Sequence, residues 1–271
     1  MAIISSTSGA ANTGTSPGQL QTLKVRWQQS ICFIQMYRPD AQNAINDTMV
    51  DEFIAVVKQC EAEATVVVIE GLPEVFCFGA DFAEVQEQHQ SSSASSDPGP
   101  LYDLWLKLAT GPFISIAHCR GKVNAGGVGF AAACDIVLSD ETAVFSLSEL
   151  LFGLMPACVL PFLARRTGVV KANYMTAMTQ PVSAQQAQNW GLVDELEGNS
   201  ANLLRRHLLR LRRLNKKAVL RYKNYLTQMS NTLQELREPA LAANLEVFSD
   251  PENRAVIDRY VSTGQFPWEQ R

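Results

Sequence analysis

Several features that mark whole classes of protein are missing from this sequence. There are only three histidines, far apart at His89, His118 and His207, so the sequence offers no cluster of imidazoles for a metal ion. No apolar run approaches the roughly 18 residues that are needed to cross a bilayer. The net charge of −4 is mild and argues against general nucleic-acid binding. We therefore expect no membrane span, no nucleic-acid partner, and no metal or other cofactor.

Paired cysteines are missing as well. The six cysteines form no C-x-x-C pair, and each lies in an apolar or strand-like stretch; they are Cys32, Cys60, Cys77, Cys119, Cys134 and Cys158. This pattern predicts free, buried thiols in a reducing cytoplasm, whereas a disulfide framework is typical of much smaller secreted chains. Residues 1–20 are rich in Ser, Thr, Gly and Ala and carry no charged side chain. They match neither a secretory signal nor an Arg-rich transit peptide, so we expect a flexible tail.

Strand-like and helix-like stretches alternate over most of the remaining chain. With 271 residues, 46% of them hydrophobic, the chain is long enough to bury a full core. The alternation predicts an α/β layered core with right-handed crossovers. We expect strands over 23–27, 31–37, 66–70, 114–118, 136–139 and 143–147. The first helix is predicted from Asp47, as its N-cap, to Cys60.

Beyond Gly198 the pattern becomes purely helical. Helices are predicted over 204–211 and 216–229, with an interruption at Asn215. We accordingly divide the chain into three segments: a tail over 1–20, a core over 21–198 and a helical region over 199–271.

Residues 89–100 break the strand and helix rhythm and are predicted to form a mobile loop. The segment is either a lid over a binding site or a tolerated surface insertion, and the sequence leaves both open.

The helical region carries a concentration of positive charge. Nine Lys and Arg residues and no acidic residue lie between Gly198 and Gln234. A solvated helix face is the usual explanation of such a run. Since no acidic side chains offset the charge here, we favour a docking surface for an acidic partner. The candidate docking residues, called the basic set below, are Arg205, Arg206, Arg210, Arg212, Arg213, Lys216 and Lys217.

Two glycine-bearing turns and one carboxylate follow each other along the chain. The turns lie within 77–82 (CFGADF) and 123–129 (VNAGGVG), and the carboxylate is that of Glu149. Each turn follows a strand-like run and precedes a helix-like one, which leaves backbone N–H groups free at a helix N-terminus. Two such turns can supply two donors to one carbonyl oxygen as it becomes an enolate, while Glu149 moves the neighbouring proton. This arrangement predicts an enzyme of thioester enolate chemistry.

Longer motifs resemble the signatures of the crotonase (enoyl-CoA hydratase/isomerase) superfamily, from Leu23 to the last residue. They are RPDAQNAIN over 38–46, FCFGADF over 76–82, CDI over 134–136, ELLFGLMP over 149–156 and AQQAQNWGLV over 184–193. The resemblance implies a spiral of ββα turns with a C-terminal helical region, assembled as a homotrimer or a dimer of trimers.

The resemblance also implies roles for particular residues. The oxyanion donors would be the amides of Ala80 and Gly126, where small residues let a carbonyl approach the backbone. Glu149 matches the glutamate that handles the α-proton. Ordinary hydratases carry a second glutamate where this chain has Gly129, so two-carboxylate water addition is not expected. One acid/base residue suffices for a syn elimination that takes the α-proton and returns it to the leaving β-hydroxyl.

Further stretches look like the dehydratases of the β-branching cassettes in polyketide biosynthesis. They are 70–82, 120–127, 145–153 and 264–269. Such enzymes dehydrate a 3-hydroxy-3-methylglutaryl group on an acyl carrier protein to the 3-methylglutaconyl group. Carrier proteins are acidic, which would suit the basic set.

Other residues are candidates for lining the substrate pocket; they are Phe78, Asp81, Lys122, Asn124, Gly127 and Cys158. Lys122 and Arg120 are candidates to meet a distal substrate carboxylate. Core or turn roles are favoured for Asn124 and Cys158. Asp81 is expected to cap a helix, and His118 to be a satisfied core histidine.

Three other functions stay open. The chain is alternatively a decarboxylase of the same pathway, a CoA-thioester hydratase or isomerase, or a non-catalytic subunit that binds a carrier protein. The group that protonates the leaving hydroxyl is also open, because Gly129 supplies none.

Overall fold

A computed structural model describes residues 20–90 and 97–269. The predicted tail therefore lies outside the described residues except for Leu20, as does the middle of the predicted loop. Within the part of the chain that the structure describes, no helix is both long and apolar enough to span a membrane.

The strands form two sheets. The larger has the order β1-β2-β3-β5-β7-β10, parallel except for the antiparallel β1–β2 hairpin, and the smaller has the order β4-β6-β8-β9 with β9 antiparallel. Their bounds are β1 Leu23–Gln28, β2 Ile31–Met36, β3 Val66–Glu70, β4 Val75–Cys77, β5 Ile114–Cys119, β6 Lys122–Asn124, β7 Ile136–Ser139, β8 Val144–Ser146, β9 Val182–Ser183 and β10 Glu195–Leu196.

Helices connect these strands and make up most of the chain after β10. Their bounds are α1 Asp47–Glu63, α2 Phe82–Gln90, α3 Gly99–Thr110, α4 Gly126–Ala133, α5 Leu160–Met178, α6 Ala184–Asn189, α7 Ser200–Leu211, α8 Lys216–Met229, α9 Thr232–Glu235, α10 Arg237–Ser249 and α11 Pro251–Thr263. A 3-10 turn over Glu149–Phe152 follows β8. The predicted α/β class and helical C-terminal region are confirmed.

The two faces of the large sheet are covered by different helices. Alternate side chains of β2 and β3, such as Ile34 and Ile69, face the main core, which contains α1, α3, α4 and α5. The intervening side chains, such as Phe33 and Val68, pack against α7. Since successive strand residues point to opposite faces, α7 lies on the side of the sheet away from the main core. The six cysteines are buried and free, as predicted.

Two predicted boundaries are wrong. The N-cap of α1 is Asn46, not Asp47: Asn46 has an extended backbone, and its side chain accepts the N–H of Met49 at 3.0 Å. Both residue types cap well, so composition alone did not separate them. The predicted loop over 89–100 is too long, because His89 still belongs to α2 and Gly99 already begins α3.

Candidate active site

The first glycine-bearing turn follows β4 and presents the N–H of Ala80. Ile45 bridges the turn: its N–H donates to the carbonyl of Gly79 at 2.7 Å, and its carbonyl accepts the N–H of Asp81 at 3.0 Å. Successive N–H groups of an extended segment point to opposite sides. The N–H of Ala80 therefore points away from Ile45 and is left for another acceptor.

The second turn follows β6 and presents the N–H of Gly126, the first residue of α4. An N–H at this position has no partner within its helix. The preceding residue, Ala125, has φ 48° and ψ −114°, a conformation that residues with a side chain rarely adopt and that is often found at functional sites. Its own N–H donates to the carbonyl of Ser146 at 2.9 Å, which ties the turn to β8.

The two turns are in contact. A Cβ atom built on Gly79, whose φ is +100°, would lie 2.6 Å from the Cβ of Ala125 and 3.6 Å from the nitrogen of Gly126. No larger residue fits between the turns at Gly79. The backbone of one turn therefore lies directly beside that of the other, so that the N–H groups of Ala80 and Gly126 serve one small region.

Ala80, Gly126 and Glu149 line one cavity of about 860 Å³. A cavity of this size holds a small-molecule or acyl group. The structure thus brings together the three residues that were predicted to carry the chemistry. Phe78, Asp81, Lys122, Asn124 and Cys158 line the same cavity.

Glu149 begins the 3-10 turn after β8. Burial raises the pKa of its carboxyl group from 4.5 to about 7, although hydrogen bonds from the backbone N–H groups of Glu149 and Ser148 oppose the rise. Its Oε2 atom is shielded from solvent and has no hydrogen-bond partner among the described residues. A carboxyl group with a pKa near neutrality is suited both to accept and to return a proton.

Asp81 is engaged as a helix cap. Its Oδ1 atom accepts the N–H groups of Ala83 and Glu84 at 3.2 and 3.3 Å, and its Oδ2 atom lies 2.9 Å from Nη2 of Arg38. Arg38 also donates to the carbonyl of Ala44. The carboxylate thus holds the first turn in place, in agreement with the capping role predicted for it.

Two other lining residues also have contacts within the protein. The side chain of Asn124 donates to the carbonyl of Phe78 at 3.1 Å and accepts from the hydroxyl of Ser146 at 2.6 Å. Burial raises the pKa of the Cys158 thiol to about 12, and its sulfur lies 3.8 Å from the carbonyl of Ala240. Asn124 therefore links the two turns, and Cys158 stays a thiol.

Lys122 is exposed, and its ammonium group lies 5.3 Å from the centre of the Phe78 ring. It is the better placed of the two candidate cations, because Arg120 does not line the cavity. Gly127 does not line it either: its α-carbon packs on Cys77, with a built Cβ only 2.5 Å from that carbonyl oxygen. In the described parts of the chain, no group of three or more His, Cys, Asp or Glu side chains is arranged to hold a metal ion.

The basic set lies apart from the cavity. None of its seven residues lines it. Arg205, Arg206 and Arg210 are on α7, which packs on the opposite face of the large sheet. Arg206 is paired with Glu197. The ammonium group of Lys216 donates to the carbonyls of Cys60 and Ala64, at the end of α1. The other five side chains are exposed.

Sequence reasoning missed part of the cavity wall. Trp105 of α3 lines it, as do Phe152, Tyr260 and Phe266, which pack on one another with ring centres 5.1 to 6.3 Å apart. No local motif marks Trp105, whose sequence context predicts only an apolar helix face.

Comparison with known proteins agrees with this geometry. The family model for enoyl-CoA hydratase/isomerase matches residues 26–271. The chain is 57% identical over 253 residues to the bacillaene synthase dehydratase PksH of Bacillus subtilis (strain 168), covering 93% of this chain and 98% of that protein. It is 33% identical to the 2,3-dehydroadipyl-CoA hydratase of Escherichia coli (strain K12), over 65% of this chain and 69% of the relative.

A solved structure of a polyketide biosynthesis enoyl-CoA hydratase (PksH) from Bacillus subtilis superposes with a TM-score of 0.90 at 56% identity, covering 92% of this chain and all of that one. The enoyl-CoA hydratase of Bacillus halodurans superposes with a TM-score of 0.79 over 88% of this chain and 99% of that one, at 16% identity, and so shares the fold. The predicted resemblance to the crotonase superfamily is confirmed. The chain is an enoyl-CoA hydratase-like dehydratase and belongs to the enoyl-CoA hydratase/isomerase family.

Proposed function

We propose that this enzyme dehydrates 3-hydroxy-3-methylglutaryl-acyl carrier protein to 3-methylglutaconyl-acyl carrier protein in polyketide biosynthesis. The observation that carries the proposal is Glu149, a buried carboxyl group whose pKa is raised to about 7, in the same cavity as the backbone of Ala80 and Gly126. The likeness to a dehydratase of bacillaene synthesis supports the polyketide context.

The reaction begins at the thioester carbonyl. Its oxygen accepts hydrogen bonds from the N–H groups of Ala80 and Gly126, which stabilise the negative charge as the enolate forms. The carboxylate of Glu149 removes the proton from the α-carbon. The electron pair of the broken C–H bond is then shared between the α-carbon and the carbonyl oxygen.

The same residue completes the elimination. The electron pair forms the carbon–carbon double bond as the bond from the β-carbon to its hydroxyl oxygen breaks. Glu149 returns its proton to that oxygen, so that one water leaves and Glu149 becomes a carboxylate again. The two proton transfers use one group on one face of the substrate, which agrees with glycine at position 129.

Two negatively charged parts of this substrate would bind to positive charge on the enzyme. One is the distal carboxylate of the acyl group, and the other is the acidic carrier protein. Lys122 is the cation we propose for the carboxylate, because it lines the cavity and is exposed. For the acidic carrier protein we propose the five exposed side chains of the basic set, those of Arg205, Arg210, Arg212, Arg213 and Lys217. Of these, Arg205 and Arg210 lie on α7, on the face of the large sheet away from the main core. Assembly as a homotrimer or a dimer of trimers also stays a proposal.

Intact-mass spectrometry tests the reaction directly. An acyl carrier protein loaded with the 3-hydroxy-3-methylglutaryl group is incubated with the enzyme, with Glu149→Gln as the matched control. We expect the carrier to lose the mass of one water with the wild type and to stay unchanged with the variant. Turnover of the same group on coenzyme A, with no change on the carrier, would contradict the role of the carrier protein.

The same measurement on a carrier loaded with the 3-methylglutaconyl group separates the other functions. A decarboxylase would release carbon dioxide from the glutaconyl carrier, and it would not need Glu149 as a base. An isomerase would leave the mass of the carrier unchanged and move a double bond. A non-catalytic subunit would bind the loaded carrier without changing it, and Glu149→Gln would have no effect.

A further inference from the structure

Trp105 and Gly129 form one packed unit in the wall of the cavity. A Cβ atom built on Gly129 would lie 2.5 Å from Cη2 and 2.6 Å from Cζ2 of the Trp105 indole. The indole cannot move aside, because Trp105 is 1% exposed and the rings of Phe130 and Phe162 meet it edge-on, with centres 5.7 and 5.8 Å away. The indole therefore occupies the space into which a side chain at position 129 would extend.

The indole N–H of Trp105 is buried without a hydrogen-bond partner among the described residues. Its neighbour on the same helix behaves differently, since the buried hydroxyl of Tyr102 donates to the carbonyl of Leu233 at 2.6 Å. Buried polar groups in proteins are nearly always paired, and an unpaired one destabilises the fold. Since Trp105 also lines the cavity, the unpaired donor indicates an acceptor that the ligand supplies.

The position of the indole relative to the amides indicates which acceptor. Its Cζ2 atom, which is bonded to the ring carbon that carries the N–H, would lie 3.8 Å from a Cβ atom on Gly126. The N–H of Gly126 is one of the two donors to the thioester carbonyl. The indole thus lies beside the turn whose amide is proposed to bind the thioester carbonyl, in a cavity that Glu149, with its unpaired Oε2 atom, also lines.

We propose that the N–H of Trp105 donates a hydrogen bond to the leaving hydroxyl oxygen of the substrate, an inference that rests on the proposed dehydration. Indole is a donor only and does not give up its proton near neutral pH. The proton that makes water therefore still comes from Glu149, while Trp105 orients the oxygen and stabilises the negative charge that develops on it as the carbon–oxygen bond breaks.

Nuclear magnetic resonance of the indole N–H groups tests the hydrogen bond without turnover. The Glu149→Gln enzyme, labelled with ¹⁵N at tryptophan, is titrated with the pantetheine thioester of 3-hydroxy-3-methylglutarate and with that of 3-methylglutarate, which lacks the hydroxyl. Trp105→Phe in this background identifies the signal of Trp105, and Trp190→Phe, at a tryptophan outside the cavity wall, serves as the matched control. We expect the Trp105 proton to move downfield with the hydroxylated compound only.

Two outcomes of the titration would overturn the proposal. An equal shift with both thioesters would assign the donor to the carbonyl or the distal carboxylate. Saturation by the hydroxylated thioester without a shift of the Trp105 signal would show that the indole does not contact the ligand.

Kinetics of Trp105→Phe distinguish a contact with the substrate from a structural role. Loss of one hydrogen bond to a charged leaving oxygen predicts a kcat for dehydration that is about tenfold to a hundredfold lower. Exchange of the α-proton of the 3-methylglutaryl thioester with deuterated water should keep its wild-type rate, because no hydroxyl is involved. Equal losses in both reactions would mean that Trp105 only supports the fold of the site. A wild type that fails to dehydrate the carrier-bound substrate would instead contradict the proposed function.

Discussion

Two clusters of buried polar residues differ in how many of their polar atoms have a hydrogen-bond partner. Around His118, Nδ1 lies 2.9 Å from a carboxylate oxygen of Glu70, Nε2 lies 2.9 Å from the hydroxyl of Ser200, and that hydroxyl donates to Asp140 at 3.4 Å. In the cavity wall, Glu149 and Trp105 each keep a buried polar atom without a partner among the described residues. Residue types alone would favour the first group, which contains a serine, a histidine and a glutamate.

This difference shows how a structural cluster can be told from a reactive one: the buried polar atoms of the structural cluster all have hydrogen-bond partners within the protein. Every group around His118 is engaged, and that cluster fixes the start of α7 to the ends of β3 and β5. Groups that are to meet a substrate cannot be paired in its absence, so the free protein carries them at a cost in stability. Opposite effects of substitution are therefore expected in the two places.

The largest effect is expected on turnover at Glu149. Glu149→Gln removes the group that moves the proton but keeps its size, so kcat for dehydration should fall by about 10²- to 10⁴-fold. Binding of the substrate thioester should persist, as measured by titration calorimetry. In the wild type, kcat/KM should rise with pH through about 7 and then level off, because Glu149 must be ionised to act as a base. A rate that is independent of pH in this range would contradict the assignment.

The second effect is on stability, again at Glu149. The pKa of this carboxyl group is raised from 4.5 to about 7 in the folded protein, so its stabilising contribution is fully present below about 4.5 and is lost as the pH rises through about 7. Glu149→Gln avoids that loss. At about pH 8 the variant should have the larger free energy of unfolding, by up to about 3 kcal/mol, and the gain should shrink towards about pH 4. Urea unfolding at the two pH values measures the difference.

At His118 the expected change in stability has the opposite sign. His118→Ala removes one hydrogen-bond partner each from Glu70 and Ser200, so it should lower the free energy of unfolding by about 1–3 kcal/mol. Turnover at a temperature where the variant stays folded should be unchanged, because His118 does not line the cavity. A large loss of kcat in the folded variant would contradict the distinction between paired and unpaired groups.

The smallest effects are expected in the basic set, where exposed side chains can again be compared with one that is hydrogen-bonded within the protein. Arg210→Ala and Arg213→Ala, at exposed side chains, should raise KM for the carrier-bound substrate a few-fold and weaken its salt dependence. KM for the pantetheine thioester should not change. Lys216→Ala, at a side chain that binds the end of α1, is the matched contrast: it should lower stability and leave KM unchanged. An unchanged KM in both arginine variants would contradict a docking surface formed by α7 and the turn after it.

The local sequence pattern was sufficient to predict much of the fold. The strand over Val66–Glu70 and the helix over Lys216–Met229 lie where they were predicted. Their limits are set by short-range features: a β-branched run closed by Gly71, and Asn215, whose side chain caps the helix by accepting two backbone N–H groups.

The predicted parts of the site were those in which local sequence determines the geometry. The turns that hold Ala80 and Gly126 depend on glycine at fixed offsets, and Asp81 caps the helix that begins one residue later. Trp105 is different, because its role arises from a contact between α3 and α4 that no local pattern encodes. The face of the sheet that α7 covers is also a long-range property, and it places Arg205, Arg206 and Arg210 away from the main core.

The aromatic packing against the turn that holds Glu149 has a consequence for how the enzyme is made. Phe152, one turn after Glu149, packs on Tyr260 and Phe266, and Ile257 completes the same small core. A nascent chain would contain both glycine turns and the glutamate about a hundred residues before these partners emerge from the ribosome. The wall of the cavity beside Glu149 is therefore completed by the last part of the chain to be made, so we expect a chain that ends before Tyr260 to lack that wall.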